Sequence, residues 1–473
     1  GPVRRRGRRG MTRVRRVHAL AALLLLCHAA ATAREGEPLT FSEAVARVRA
    51  RNEALAAGRD EVDQRAAERA AARGLRSPKV TLELRETFIN KPIEIDASPL
   101  PLAYRVQEDQ FMKGQLRAAW PVYTGGRIDA ANAAAAAAEN EAGSRLSLTG
   151  DQLVTELARR YFGLCLARRA AGVAALKVEA MERHARRARR LMEEGVVAKV
   201  EELNAEVALA NARAALASAG ADAAIALEGL NNLMAGTEEV VPVTPLFILR
   251  DVEDCAHFQD AVDGGHPALA VAAAKRDQAR QGTRAEKGAA LPSVYLFGVR
   301  ELFPRDLTLL DPEWAAGVGA EYTLFDGGQG RNRIAAARAR EELAADMTRK
   351  LRRDLRSLAA VRHREMGKAL GQYDAFEATL ALTEENLRVR VRAFEEGVAT
   401  SVEVVDAVLS RDRALLGRLK AAHDFDTALF GLLEAAGLTR RHGDYLARAV
   451  PVPEQAAETP LPAAPPTEAS PAQ

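Results

Sequence analysis

Glu403 and Asp406 stand three residues apart among strong helix formers, a spacing that puts both carboxylates on one helical face. By itself such a pair is most often simply solvated. Little else in the chain has the makings of chemistry. The six histidines beyond residue 33, among them His184, His257 and His363, show no metal-ligand spacing, and the seven methionines do not cluster as a soft-metal ladder would. No phosphate loop, dinucleotide glycine pattern or nucleophile elbow occurs. The expectation is no catalytic residue, no metal, no cofactor and no enzyme. Arg183, Arg186, Arg187, Arg189 and Arg190 precede Gly195, and Arg388, Arg390 and Arg392 precede Gly397. The expected reading of both runs is a solvated basic face paired with nearby glutamates; a docking surface for an acidic partner is the other.

The formal charge of +3 misleads, because residues 1–33 carry eight arginines and no acid. The remainder has 59 basic against 64 acidic residues, which removes the electrostatic support for nucleic-acid binding. Residues 1–33 read as a leader with a cleavable signal peptide: a basic stretch through Arg16, an apolar run from Ala19 to Cys27, and Ala31-Thr32-Ala33 as the cleavage site. Translation is expected to start at Met11, with Gly1–Gly10 upstream of it. Leu26 before Cys27 argues against lipidation. Cys165 and Cys255 remain, too few for a disulfide framework, and two buried free thiols are expected. With 48% hydrophobic and 28% charged residues, the chain is neither mostly disordered nor a polytopic helical membrane protein.

Proline maps the elements, because it breaks long helices. None occurs between Pro121 and Pro242 or between Pro312 and Pro451, and both stretches are rich in Ala, Leu, Glu and Arg, so very long helices are expected. The two stretches are related. Trp120-Pro121-Val122-Tyr123-Thr124-Gly125-Gly126-Arg127 resembles Glu321-Tyr322-Thr323-Leu324-Phe325-Asp326-Gly327-Gly328-Gln329, and Glu194-Gly195-Val196-Val197-Ala198 resembles Glu396-Gly397-Val398-Ala399-Thr400, each 202 positions apart. Ser77-Pro78-Lys79-Val80 answers Leu291-Pro292-Ser293-Val294 at an offset of 214, so the first half has twelve extra residues between its extended segments. Each unit reads as helix, strand, loop, strand, long helix, turn, helix.

The extended segments alternate. Val80, Leu82 and Leu84 oppose Thr81, Glu83 and Arg85; Leu116, Ala118, Trp120 and Val122 oppose Gln115, Arg117 and Ala119; Trp314, Ala316, Val318, Ala320 and Tyr322 oppose Ala315, Gly317, Gly319 and Glu321. Residues 79–125 and 292–327 hold 11 of the 22 aromatics. Two soluble hairpins would fit, as would strands of a transmembrane barrel with aromatic belts. From Gly126 to Gly195, and from Gly328 to Gly397, is 69 residues, about 100 Å of helix. Strands at one end and a glycine turn at the other describe a membrane end and a remote tip. Four strands cannot close a useful barrel and lipid tolerates no open edge, so several copies must share one.

On these residues the chain resembles the TolC-type outer-membrane factors, over roughly residues 38–440. The resemblance implies a mainly α protein with a transmembrane β-barrel: a homotrimer whose twelve-stranded barrel is continued by a periplasmic α-helical barrel. The layout expected is a first repeat over 34–235 (strands about 79–90 and 111–124, long helix 127–194, tip 195–198, return helix 199–232) and an equatorial linker over 233–265, whose equatorial material the terminal segment beyond Leu438 would join. A second repeat covers 266–440 (strands about 293–303 and 313–325, long helix 329–396, tip 397–400, return helix 401–438), and a Pro/Ala-rich tail, 441–473, is read as disordered. Gly125, Gly126, Gly327 and Gly328 make the strand-to-helix turns, and Trp120, Tyr123, Trp314, Tyr322 and Phe325 are the membrane-interface aromatics.

The implied function is the exit duct of a tripartite efflux pump or type I secretion system, a passive conduit in the outer membrane of a Gram-negative-type envelope, reaching into the periplasm. Implied partners are outer-membrane lipid, a periplasmic adaptor and an inner-membrane transporter that supplies the energy. The tips, Gly195, Val196, Gly397 and Val398, would meet the adaptor, and Glu403 and Asp406 would form constricting rings. Family members lock the closed state through an acid, here Glu201, bonded to an arginine and a tyrosine whose positions are Ala399 and Phe394; neither can donate the bond, so this duct is expected to close differently. The alternative reading is a soluble periplasmic coiled-coil adaptor.

Overall fold

The structure, a computed structural model, describes residues 36–96, 103–306 and 311–453. The leader assigned to 1–33 lies outside them.

Two helices of 67 residues dominate, Arg127–Glu193 (α3) and Gln329–Glu395 (α7). Each is about 100 Å long, far beyond what propensity alone requires, and survives because shorter helices flank it in relay. Glu53–Gly74 (α2) and Pro267–Ala289 (α6) accompany the ends nearest the strands, while Lys199–Met234 (α4) and Ser401–Ala436 (α8) return from the tips. Near the strands the packing order is α2, α3, α6, α7; toward the tips α3 pairs with α4 and α7 with α8. Among the described residues no helix is long and apolar enough to cross a membrane.

One antiparallel sheet caps the helices. Its strands are Lys79–Phe88 (β2), Gln110–Tyr123 (β5), Ser293–Glu301 (β8) and Trp314–Glu321 (β9), in that spatial order. β5 meets β8 across the halves, Trp120 opposite Leu296 and Ala118 opposite Gly298. The extra residues of the first half form a small hairpin, Ile93–Asp96 (β3) with Ala103–Gln107 (β4). Among the described residues β2 and β9 are bare edges.

The core lies at mid-length of α3, around Tyr161. Phe41, Tyr161, Phe162, Phe247, Phe258, Phe425 and Phe430 are all fully buried there, each worth about 1.5–3 kcal/mol of transfer free energy. Glu37–Leu39 (β1) pairs in parallel with Val240–Pro242 (β6). The Tyr161 hydroxyl donates to the Leu39 carbonyl at 2.6 Å and accepts the Thr244 N–H at 2.9 Å, so one side chain straps both segments to α3. Phe41–Arg51 (α1), entered through a closed Thr40–Glu43 capping box, and Cys255–Asp263 (α5) complete this girdle.

The chain end differs from the expectation. Residues 442–447 form a short helix, and Val450–Pro451 (β10) pairs antiparallel with Phe247–Ile248 (β7), because this segment seals the girdle's apolar edge with Tyr445 and Val452 buried. The disordered reading of 441–473 therefore fails for 441–453; the rest lies outside the described residues. Cys165 is a buried free thiol that burial pushes up to about 12, but Cys255, also free, is only half-buried.

Candidate functional site: the membrane sheet and the helical tips

The alternation seen in the sequence becomes two faces. Val80, Leu82, Leu84, Leu116, Trp120, Leu296, Trp314 and Val318 share one face by register and are all exposed. Lys79, Thr81, Glu83, Arg85, Lys113, Gln115, Arg117 and Glu301 share the other. An exposed apolar face of this size marks an interaction with lipid or protein. On the polar face Tyr295 and Phe297 lie over Gly319 and Gly317, where a Cβ would come within 2.5 and 3.1 Å of their rings.

The strand-to-helix turns hold four of the five predicted aromatics. The Trp120 indole N–H donates to the Arg76 carbonyl at 2.9 Å, and Arg76 pairs with Asp129 on α3 at 2.6 Å. Tyr123, Tyr322 and Phe325 are exposed at the same helical end, whereas Trp314 opens β9 away from it. Gly125 makes a close backbone crossing: a Cβ there would lie 2.2 Å from the Gly288 carbonyl oxygen, and one on Gly288 2.4 Å from that of Gly125. Gly126 and Gly328 each stand in the left-handed conformation just before a long helix.

At the opposite end the two tips are built alike. Gly195 and Gly397 take φ of 76° and 73°, and the next residue returns an N–H to the helix, Val196 to the Leu191 carbonyl and Val398 to that of Ala393. Val196 packs against Gly397, and both valines are at least half exposed.

The lock positions hold an arrangement that the sequence did not reveal. The Glu201 carboxylate accepts the Ser401 backbone N–H at 2.6 Å, tying α4 to the start of α8. The Ser401 hydroxyl is bonded to His184 Nε2 at 2.7 Å, and the His184 ring rests on Phe394 with centroids 4.8 Å apart. Ser401 and Phe394 are fully buried and His184 nearly so. Burial pushes the imidazole down to about 4, with the Arg187 guanidinium adding to the effect. Phe394 thus serves as a packing surface where the family pattern has a hydroxyl donor.

The two acids three residues apart part company. Glu403 is engaged by Arg390 at 2.7 Å, whereas Asp406 is exposed and has no ion-pair partner among the described residues. The remaining arginines of the two basic runs also have acidic neighbours, including Arg187 with Glu395 at 2.7 Å across the two hairpins and Arg189 with Glu202 and Glu206. That agrees with a paired, solvated face. Among the described residues no cluster could hold a metal ion.

The profile of the outer membrane efflux protein family matches residues 44–236 and 261–438, and the chain belongs to that family. No curated protein matches it in sequence. Solved structures share the fold: CusC, in a study of folding and transmembrane channel formation (15% identity, TM-score 0.73, 84% of this chain and 92% of that one), the outer membrane protein VceC of Vibrio cholerae (15%, 0.71, 84% and 96%), and the CmeC outer membrane channel of Campylobacter jejuni (14%, 0.71, 86% and 89%). The protein is accordingly an outer-membrane efflux channel that extends into the periplasm, and not an enzyme. The soluble-adaptor alternative falls: both aromatic-rich strand pairs join in one sheet, as a channel requires and an adaptor does not.

Proposed function

We propose that three copies of the chain close a twelve-stranded barrel in the outer membrane, and that the helices beneath it prolong the bore to the tips. Cargo enters there and diffuses outward, delivered through a periplasmic adaptor by an inner-membrane transporter of an efflux pump or type I secretion system. Gly195, Val196, Gly397 and Val398 form the adaptor contact; Glu403 and Asp406 ring the entrance, with Glu201 and Phe394 in the node behind them. The observation that carries this reading is the sheet itself. One face is mostly apolar, the other carries most of the charges, and among the described residues both edges, β2 and β9, lack partners. In lipid unpaired strand edges are untenable, so closure by further copies satisfies the backbone, faces the apolar side to lipid and leaves the charged side lining water.

The test is fractionation followed by planar-bilayer recording. Heat-resistant trimers in the outer-membrane fraction that form ohmic pores are expected; a soluble monomer without conductance would sink the proposal.

A further inference from the structure

The two halves of the sheet share one register but are lined differently. Moving β2 by its repeat offset of 214 and β5 by 202 turns the pairs Thr81–Arg117 and Glu83–Gln115 into Tyr295–Gly319 and Phe297–Gly317, which are pairs that β8 and β9 make. On the polar face the first half therefore has a hydroxyl, an acid, an amide and a cation, where the second half has two aromatic rings and two glycines.

Rings and glycines are matched in space. A Cβ on Gly319 would come within 2.5 Å of the Tyr295 ring and 2.7 Å of its hydroxyl oxygen, and one on Gly317 within 3.1 Å of Phe297. Each ring thus lies across β9 with one face covered, and no side chain fits beneath it. Covering a strand glycine in this way strengthens a sheet, but it uses only that face. The rest stays open: Tyr295 and Phe297 are 38 and 36% exposed, with ring centroids 6.3 Å apart. The same two rows continue onto β5 with Pro121 and Ala119. A patch spanning three strands is therefore free of charge on a face that is otherwise rich in it. Its borders are mixed in sign. Arg117 is the diagonal neighbour of Phe297, Glu321 that of Tyr295, and Lys79 stands beyond Ala119.

We propose that Tyr295 and Phe297 form a stacking site for planar aromatic cargo on the inner wall of the barrel. The inference rests on the channel reading, in which this face lines the bore, and adds a class of passenger to it. A flat aromatic group rests on the open faces, offset-stacked or edge-on as ring quadrupoles prefer, and Pro121 and Ala119 extend the apolar bed. With both signs of charge at its borders, the patch reads the ring and not the charge. Three copies set three such sites around the bore. Several weak sites suit a duct that must admit its cargo and also let it go.

Blockade of single pores in planar bilayers tests the site, with naphthalen-1-ylmethylammonium and its decahydro analogue as probes of equal charge. In the unsubstituted protein the aromatic probe is expected to dwell about three- to ten-fold longer than the saturated one. Tyr295→Leu with Phe297→Leu keeps the glycines covered by apolar groups but removes the aromatic faces, and should bring the two dwell times together. Each single leucine variant should give an intermediate ratio, so the test stands even where the double variant fails to assemble. Naphthalene-1-sulfonate against its saturated analogue should show the same preference; a preference confined to the ammonium would refute recognition of the ring. If the rings only fill the glycine notches, the leucine variants lose heat resistance as trimers while the dwell ratio stays unchanged. That result would overturn the proposal, as would a ratio of one in unsubstituted pores. An unsubstituted protein that forms no pore would instead strike the channel reading itself.

Discussion

Glu403 shows how a single neighbour changes what an acid does. Thr400-Ser401-Val402-Glu403 has the same capping-box signature as Thr40-Phe41-Ser42-Glu43, where threonine and glutamate bond reciprocally. At Thr400 only half of the box forms: its hydroxyl accepts the Glu403 N–H, while the Glu403 carboxylate turns to Arg390. In the proposed mouth the Glu403 ring is thereby neutralised and cation preference rests on Asp406. Arg413 and Lys420 follow Asp406 at seven-residue steps, exposed and without ion-pair partners among the described residues. Arg390→Gln should raise the cation-to-anion permeability ratio by about two- to ten-fold at low salt, Glu403→Gln should lower it, and the double variant should return close to the unsubstituted protein. Reversal potentials in bilayers read all three; unchanged selectivity in Arg390→Gln would refute the pairing's role. An exposed pair of this kind contributes only about 0–1 kcal/mol to stability, so folding is not at issue. The sequence displayed the two acids at helical spacing, but Arg390 lies 13 residues before Glu403 across a turn, beyond any local pattern.

Between elements, the tie that matters at the tip joins the α3–α4 hairpin to α7–α8 through His184, Ser401 and Glu201. Folding holds His184 neutral, so its contribution is complete above the ordinary histidine pKa of 6.5 and is lost as pH falls from there through about 4. The loss amounts to about 3 kcal/mol. The charged groups around this node are Arg187 on α3, Glu201 on α4 and Glu395 on α7. Hydrogen exchange at residues 195–200 and 397–402 should accelerate as pH is lowered from 7 to 4.5, beyond the intrinsic pH trend, and His184→Phe should remove the dependence. Equal protection across that range would contradict the assignment. The long helices, their glycine turns and the strand pairs were legible in the sequence because each obeys a local rule: proline absence, left-handed glycine, two-residue alternation. The girdle was only partly legible. β1 with β6, and β7 with β10, join segments about 200 residues apart through two or three residues each, too short for a periodic signal. The His184–Ser401 bond spans 217 positions and leaves no trace in composition.

At the scale of the whole molecule, one unit made twice has been asked to do two jobs. Within a protomer its copies pair with each other through β5 and β8, and the same surfaces recur unsatisfied at β2 and β9. In the proposed ring those edges close the sheet between copies, and the long helices follow the same order beneath. The apolar sheet face and the exposed Leu324 and Phe325 are liabilities in an isolated chain and assets in a membrane-embedded ring. Electron cryo-microscopy of the detergent-extracted protein tests this account most directly. A threefold particle is expected, with one twelve-stranded barrel, β9 of each protomer paired with β2 of the next, and a continuous bore down to the tips. A map showing the helices packed around a filled centre, or the sheet folded against its own helices in a monomer, would contradict it.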